Sequence, residues 1–337
     1  MRAMPLKDDF TIIISRADAL GDMVLTIPMA GVLKSYFPGC KIYYLAKKYA
    51  EPLISLSSHI DGFIEYDYLS GLPRNEQVAY LKKFGADIFI NVLPDKTLAL
   101  LAKKAGISLR AGTTNRWYHW LTCNRLIRLS RKRSDLHEAQ LNIRLLKFLS
   151  VDTNIPLRQI QEYYGIRKPP FKTFSFLPEN QKRTVLLHPK SNGSGQEWCI
   201  DNYDKLIGLL DPAAYNVVVC GLPREAASVA PLFEKHPEVI NAIGRVTLPE
   251  YIQLIYQSHA LVASGTGPLH IAAMMGIKAI GLFPRRKAVG PGRWQPLGAK
   301  ARYLTFEGPC SCTQKAVCRC MDLIPAENVA AYIEGPP

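Results

Sequence analysis

The stretch 262–286, VASGTGPLHIAAMMGIKAIGLFPRR, leaves this chain few folds to choose from. A short apolar strand at 260–263 breaks into a turn of small residues, Ser264-Gly265-Thr266-Gly267. Pro268 then opens an apolar helix, Gly276 ends it, and a second apolar strand follows at 279–283. Proline early in a helix and glycine just past its end is the expected asymmetry, since the first turn has no use for the N–H that proline lacks. The tip of such a strand–turn–helix–strand unit exposes backbone N–H groups at the positive end of a helix, a seat for phosphate. Thr266, Gly267 and His270 lie at that tip or in the first helical turn. A G-x-G by itself equally marks a tight turn, so the rest of the chain has to decide.

At 337 residues the chain exceeds the usual size of a single core, which predicts two domains. No apolar run approaches the roughly 20 residues needed to cross a bilayer. The first residues, MRAMPLKDDFTIIIS, have too short an apolar run for a signal peptide, so a cytoplasmic location is expected. The net charge of +14 is uneven: residues 1–175 hold 26 Lys+Arg against 15 Asp+Glu, and the remainder 16 against 13. A basic first half predicts an anionic partner there.

In the first half, a β-branched strand at 10–15 runs into Arg16-Ala17-Asp18-Ala19-Leu20-Gly21-Asp22, then a helix at 23–36 and a strand at 41–46. Two strands joined by such a helix make a parallel βαβ unit, and ligands sit beyond the carboxyl ends of its strands. Asp22 in that loop has two readings: a general base for a hydroxyl, or an N-cap for the helix behind it. Further strands are expected at 60–66, 87–92 and 109–112, and helices at 74–84, 96–105 and 136–149. Between positions 110 and 133 there are seven basic residues and no acid, interleaved with Trp117, Tyr118, His119 and Trp120. That composition suits single-stranded nucleic acid, the phosphates of a glycolipid, an anionic membrane surface, or no more than a solvated loop.

Residues 150–183, rich in Pro, Lys and Arg, read as an interdomain connection. A strand at 184–188 then enters a hydroxyl- and glycine-rich loop, from Pro189 through Lys190, Ser191 and Gln196 to Trp198, before a helix starting near Asp201. This is a second candidate phosphate cradle, without the lysine ending of a Walker loop. Glu225, after a strand at 216–220, is placed to accept hydrogen bonds from ribose hydroxyls. Two successive α/β halves predict two Rossmann-like domains facing across a cleft, at 1–175 and 176–325, with a helix and tail at 326–337 able to pack back on the first domain. Cys310, Cys312, Cys318 and Cys320 could pair their thiolates on zinc, although structural zinc sites favour C-x2-C spacing.

Several of these segments together are similar to one family. Ser15 to Pro28 (SRADALGDMVLTIP), Arg110-Ala111-Gly112, His137-Glu138 followed by Asn142, the loop from His188 to Trp198, and Gly265 to Ala273 resemble the motifs of glycosyltransferase family nine, the lipopolysaccharide heptosyltransferases. The resemblance implies an α/β GT-B fold, an acceptor-binding first domain and a nucleotide-sugar-binding second domain. It implies transfer of heptose from ADP-heptose, with inversion, to the Kdo/lipid A inner core. Asp22 then becomes the catalytic base, and Thr266, Gly267 and His270 meet the donor diphosphate. Lys190, Ser191 and Gln196 join them on the donor side, and Glu225 meets the ribose. Arg16, Asp18, Arg110 and Arg116 fall on the acceptor side. No metal and no cofactor is implied, and the expected setting is the inner face of the cytoplasmic membrane, touched transiently. Two departures leave the donor sugar open. Gly265 stands where the family often has Asp or Ser, and Gln196-Glu197 where it has a basic residue before the Trp. Lys190, Arg285 and Arg286 are the candidates to carry the missing charge. The rival readings are a GT-B transferase with another nucleotide sugar or acceptor, and a non-catalytic polyanion-binding protein.

Overall fold

In the computed structural model, which describes residues 9–191, 193, 195–309 and 319–335, Ile12, Ile13 and Ile14 are all fully buried. A strand buried on both faces belongs in a parallel sheet covered by helices on each side. That strand, β1 (Thr11–Ser15), lies inside a six-stranded sheet with β2 (Lys41–Ala46), β3 (Gly62–Glu65), β4 (Ile88–Asn91), β5 (Leu109–Thr113) and β6 (Arg125–Ile127). Its order is β3-β2-β1-β4-β5-β6, with every pair parallel. A second six-stranded sheet is built from β7 (Arg183–His188), β8 (Tyr215–Val219), β9 (Ile240–Asn241), β10 (Ala260–Ser264), β11 (Lys278–Leu282) and β12 (Ala301–Leu304). Its order, β12-β11-β10-β7-β8-β9, repeats the first when counted from its own first strand. Both are the doubly wound order in which the chain reverses direction beside its first strand.

The two sheets belong to two compact units, Met1–Arg167 and Lys168–Pro337. The boundary falls earlier than the expected 175, because residues 150–167 are part of the first unit. Gly31 packs so closely on the Tyr163 carbonyl that an added Cβ would lie 2.1 Å from its oxygen. From Lys168 the chain is tied to the second unit, where Lys172 and Gln257 exchange hydrogen bonds of 2.7 and 2.8 Å.

The last helix, Ala326–Glu334, is part of the second unit. Ala326, Val329, Ala330 and Ile333 enter the core of the second, with Trp198, Tyr203 and Leu206. Lys278 Nζ and His259 Nε2 bond the Ile333 carbonyl at its C-terminal end, each at 2.9 Å.

Three further expectations are corrected. The helix at 23–36 is two helices, Leu20–Val24 and Pro28–Tyr36, since Pro28 has no N–H to continue the first. The helix at 136–149 is α-helical over Glu138–Ile143 and tightens to 3-10 over Arg144–Leu149. The basic stretch 110–133 is not all loop: it carries the helix Trp117–Thr122 and strand β6.

Candidate active site

Topology nominates one place in each sheet, the point where strand order reverses. In the first, Ser15 pairs with Asn91, so the loops after β1 and β4 leave side by side. In the second, Ala263 pairs with His188, and the loops after β10 and β7 do the same. These are the loops that carry Arg16 to Asp22, Lys190 to Trp198, and Gly265 to Gly267.

Arg16 organises the first place. It is 3% exposed, and all five of its guanidinium N–H groups are taken. Nε donates to Asp18 Oδ1 (3.0 Å), Nη1 to Glu138 Oε1 (2.8 Å) and Asn142 Oδ1 (3.1 Å), and Nη2 to Asp18 Oδ2 (3.1 Å) and to Asp22 Oδ1. Arg131 closes the network from the other side, through Glu138 Oε1 at 2.9 Å and Asn142 Oδ1 at 3.0 Å. Asn142 reaches back to the Leu25 carbonyl and Thr26 Oγ1, both at 3.1 Å, and Thr26 Oγ1 donates to the Asp22 carbonyl at 2.8 Å.

Three carboxylates thus share two guanidinium groups. Burial pushes the Asp22 carboxyl up; Arg16 pulls it back, and repulsion from Asp18 and Glu138 adds to the rise, leaving it at about 6. Burial also works against the charge of Arg16, but Asp22, Asp18 and Glu138 outweigh it and push its pKa up. A partly exposed carboxylate that ionises near neutrality suits a general base. The helix Leu20–Val24 has Ala19 at its N-cap position, and Asp22 lies inside it, so the capping role is not the one Asp22 fills.

Arg16 therefore has no N–H left for an acceptor, contrary to expectation; it holds Asp18 and Asp22 in position. Arg110 is partly committed within the unit. Its Nε bonds the Thr122 carbonyl at 2.7 Å and its Nη1 the Ile107 carbonyl, so it fastens its own loop. Arg116 is exposed just ahead of the helix Trp117–Thr122, and Asp18 keeps a partly exposed carboxylate. Glu138 and Asn142, quoted among the motif residues but given no role there, complete the network. Their i,i+4 spacing on one helix face was the available signal.

In the second place, the loop after β7 meets the glycine turn. A Cβ on Gly195 would lie 3.4 Å from the Gly265 carbonyl oxygen. Gly265 itself backs onto Phe283, whose ring would be 2.6 Å from an added Cβ, which is why an Asp or Ser does not fit there without a shift. Thr266 starts the helix Gly267–Met274 with no side-chain cap, and its Oγ1 is buried without a hydrogen-bond partner among the described residues, as are Ser264 Oγ and Gln196 Oε1. His270 is buried in the same helix.

Lys190 forms an ion pair with Glu197 Oε2, while Glu197 Oε1 accepts from Ser191 N (2.8 Å) and Ser191 Oγ (3.0 Å). Burial alone would raise the Glu197 pKa, but the bonds from Lys190 and Ser191 outweigh it and hold it low. A carboxylate thus engages three donors of the cradle. Glu225 is buried, and its Oε2 accepts from Leu222 N at 2.7 Å, leaving Oε1 for another donor. Arg285 Nη1 bonds the Gly308 carbonyl at 2.6 Å. Among the described residues no cluster of His, Cys, Asp and Glu could hold a metal. Of the four clustered cysteines, Cys310, Cys312 and Cys318 lie outside the described residues, and Cys320 is buried.

Two doubly wound units in one chain, each with a polar loop at its switch point, match the fold of the GT-B transferases. The chain superposes on E. coli ADP-heptose lipopolysaccharide heptosyltransferase II with a TM-score of 0.72 and 19% identity, covering 96% of this chain and 97% of that one. The model of glycosyltransferase family 9 (heptosyltransferase) matches residues 79–323, and the chain belongs to that family. A Haemophilus influenzae protein described only as a glycosyltransferase is 27% identical over 96% of this chain and 95% of its own length. The lipopolysaccharide core heptosyltransferase OpsX of the same organism is 23% identical over 80% and 78%.

Proposed function

We propose that this transferase moves heptose from ADP-heptose, with inversion, to the Kdo/lipid A inner core of lipopolysaccharide, at the inner face of the cytoplasmic membrane. The first unit serves as the acceptor domain and the second as the donor domain. The observation that carries the reading is the Arg16 network, which holds Asp22 with a carboxyl that ionises near pH 6. Asp22 takes the proton of the acceptor hydroxyl as its oxygen forms the new bond to the anomeric carbon. The bond from that carbon to the donor diphosphate breaks, and ADP leaves with the electron pair. The N–H groups at the start of the helix Gly267–Met274, together with Thr266 Oγ1 and Lys190, meet the diphosphate, and Glu225 Oε1 meets a ribose hydroxyl. Asp18 and Arg116 are the remaining acceptor contacts.

The names of the heptosyltransferase relatives support this donor and acceptor. The test is direct: purified protein with ADP-heptose and Kdo2-lipid A gains product of one added heptose by mass, and absence of product with intact ADP binding refutes the pairing. Two observations favour a second reading, a different nucleotide sugar: Gly265 is hemmed in by Phe283, and the cradle's lysine is already paired with Glu197. A thermal-shift panel of ADP-, UDP- and GDP-sugars separates the two, since the true donor raises the melting point. The polyanion-binding alternative leaves the Asp22 network without a purpose.

A further inference from the structure

The helix Trp117–Thr122 is turned inside out. Its inward residues are His119, fully buried, and Thr122. His119 Nδ1 accepts from Thr113 N at 2.9 Å, and Gly112 leaves room for it, since a Cβ there would be 2.7 Å from the same nitrogen. Lys103 Nζ holds the Leu121 carbonyl at 2.8 Å. The helix is thus pinned by polar contacts. Its residues at i, i+3 and i+4, Trp117, Trp120 and Leu121, form one outward face and are 64%, 63% and 64% exposed. A surface helix of a globular protein does the reverse, and a grouped apolar face marks an interaction site.

Charge identifies the partner. The Lys96 ammonium lies 5.0 Å from the Trp117 ring centre, and Lys103, Lys104, Arg116 and Arg128 are exposed nearby in sequence or on the adjoining helix. The neighbouring acid, Asp95, is committed to capping Leu98 N at 2.9 Å. The indole N–H of Trp120 is bonded to the Thr114 carbonyl at 3.1 Å, so its exposed ring offers mainly carbon. Apolar rings and a leucine, with the Lys96 ammonium on the Trp117 ring and Lys103 on the Leu121 carbonyl, match the boundary of an anionic bilayer, where aromatic groups sit at the headgroups and cations meet the phosphates. Single-stranded nucleic acid would stack on the rings but gains nothing from Leu121. A second copy would bring like charges together.

We infer that the outward face of the helix Trp117–Thr122 docks this protein on an anionic lipid surface. The inference rests on the membrane contact in the reading above and assigns its location. The test uses vesicles of three parts phosphatidylcholine to one part phosphatidylglycerol. Wild-type protein co-floats with them, less so at high salt, and its tryptophan emission shifts to the blue and is quenched by brominated lipid. The triple variant Trp117→Ser, Trp120→Ser, Leu121→Ser lowers the partition coefficient by roughly 10- to 100-fold. Lys96→Gln with Lys103→Gln lowers it several-fold and flattens the salt dependence.

The melting point and the ADP-induced thermal shift of each variant report folding and the donor site separately. Failure of ADP to bind refutes the function proposed above without touching this result. Equal vesicle binding by wild type and triple variant overturns the inference, as does the absence of bromolipid quenching in the wild type. So does a wild-type dimer that the triple variant dissolves, or oligonucleotide binding that exceeds vesicle binding.

Discussion

At the end of β1 every N–H of a buried arginine is bonded, whereas at the end of β10 two buried hydroxyls, Ser264 Oγ and Thr266 Oγ1, have no partner among the described residues. The first site is complete within the protein: Arg16 fixes Asp22 through the same network that fixes Glu138 and Asn142. The second carries polar groups whose desolvation nothing among the described residues offsets, at about 1–3 kcal/mol for each unsatisfied group. A base must be held still before its substrate arrives, and a network does that. A binding site gains more from donors that bond only when the ligand is present, because their desolvation is then returned as affinity.

The sharpest way to break the comparison is Asp22→Asn. If Asp22 is the base, turnover falls by roughly 10²–10⁴ while the ADP-induced thermal shift is unchanged. Wild-type activity then rises with pH through about 6, as the carboxyl ionises, and the variant's residual activity lacks that rise. Stability moves the other way. Because the folded pKa lies above the ordinary 3.8, ionisation is harder in the folded state. The wild type therefore loses stability as pH rises from about 4 to about 6, and Asp22→Asn melts higher than wild type at pH 8 and equal to it near pH 4. An intact reaction in this variant removes Asp22 from the chemistry.

Arg16→Met tests whether the network is structural support. It leaves three carboxylates without their central partner, and removing one member of a buried ion pair costs about 3–5 kcal/mol. The melting point falls, and in whatever folds the activity rise moves above pH 6, because the attraction that lowered the Asp22 pKa is gone. A rise that stays at pH 6 would mean that Arg16 does not set it.

The strand and switch-point loops were legible in the sequence because parallel strands buried on both faces read as unbroken apolar runs, as in Ile12 to Ile14 and Leu261 to Ala263. The glycine turn and the 16–22 loop announced themselves as breaks in those runs. The direction of long polar side chains did not. Arg16 and Arg110 look alike in sequence, both a residue or two from a strand end, yet one centres a carboxylate network and the other caps carbonyls of its own loop. That choice depends on Glu138, more than a hundred residues away, which sequence spacing cannot bring near. The last helix was legible only in part for a related reason: its apolar face at 326, 329, 330 and 333 shows that it packs, but not that Trp198, Tyr203 and Leu206 receive it. The short helix Trp117–Thr122 was missed because its apolar residues point outward, against the rule used to find helices.

Thr266→Val probes the second site with two signs at once. The free protein loses a buried hydroxyl that has no partner among the described residues, so its melting point rises by a few degrees at most. ADP affinity falls roughly 5- to 30-fold if the hydroxyl bonds the diphosphate. A fall in both quantities would make Thr266 a packing residue.

Glu197→Gln separates the donor cradle from its internal anion. Glu197 now occupies Lys190, Ser191 N and Ser191 Oγ, which are the kinds of donor a phosphate would use. The amide keeps an oxygen for Ser191 but gives up the charge that holds Lys190. A diphosphate entering the variant no longer competes with a carboxylate, nor meets its repulsion, so ADP binds tighter by roughly 3- to 10-fold, and the gain shrinks as salt rises. The same change lowers stability slightly, since an ion pair with both partners about a quarter exposed contributes on the order of 1 kcal/mol or less. If ADP instead binds more weakly, Glu197 is not a competitor but the group that aims Lys190 at the phosphates. The second loop would then be held ready from within, as the first is.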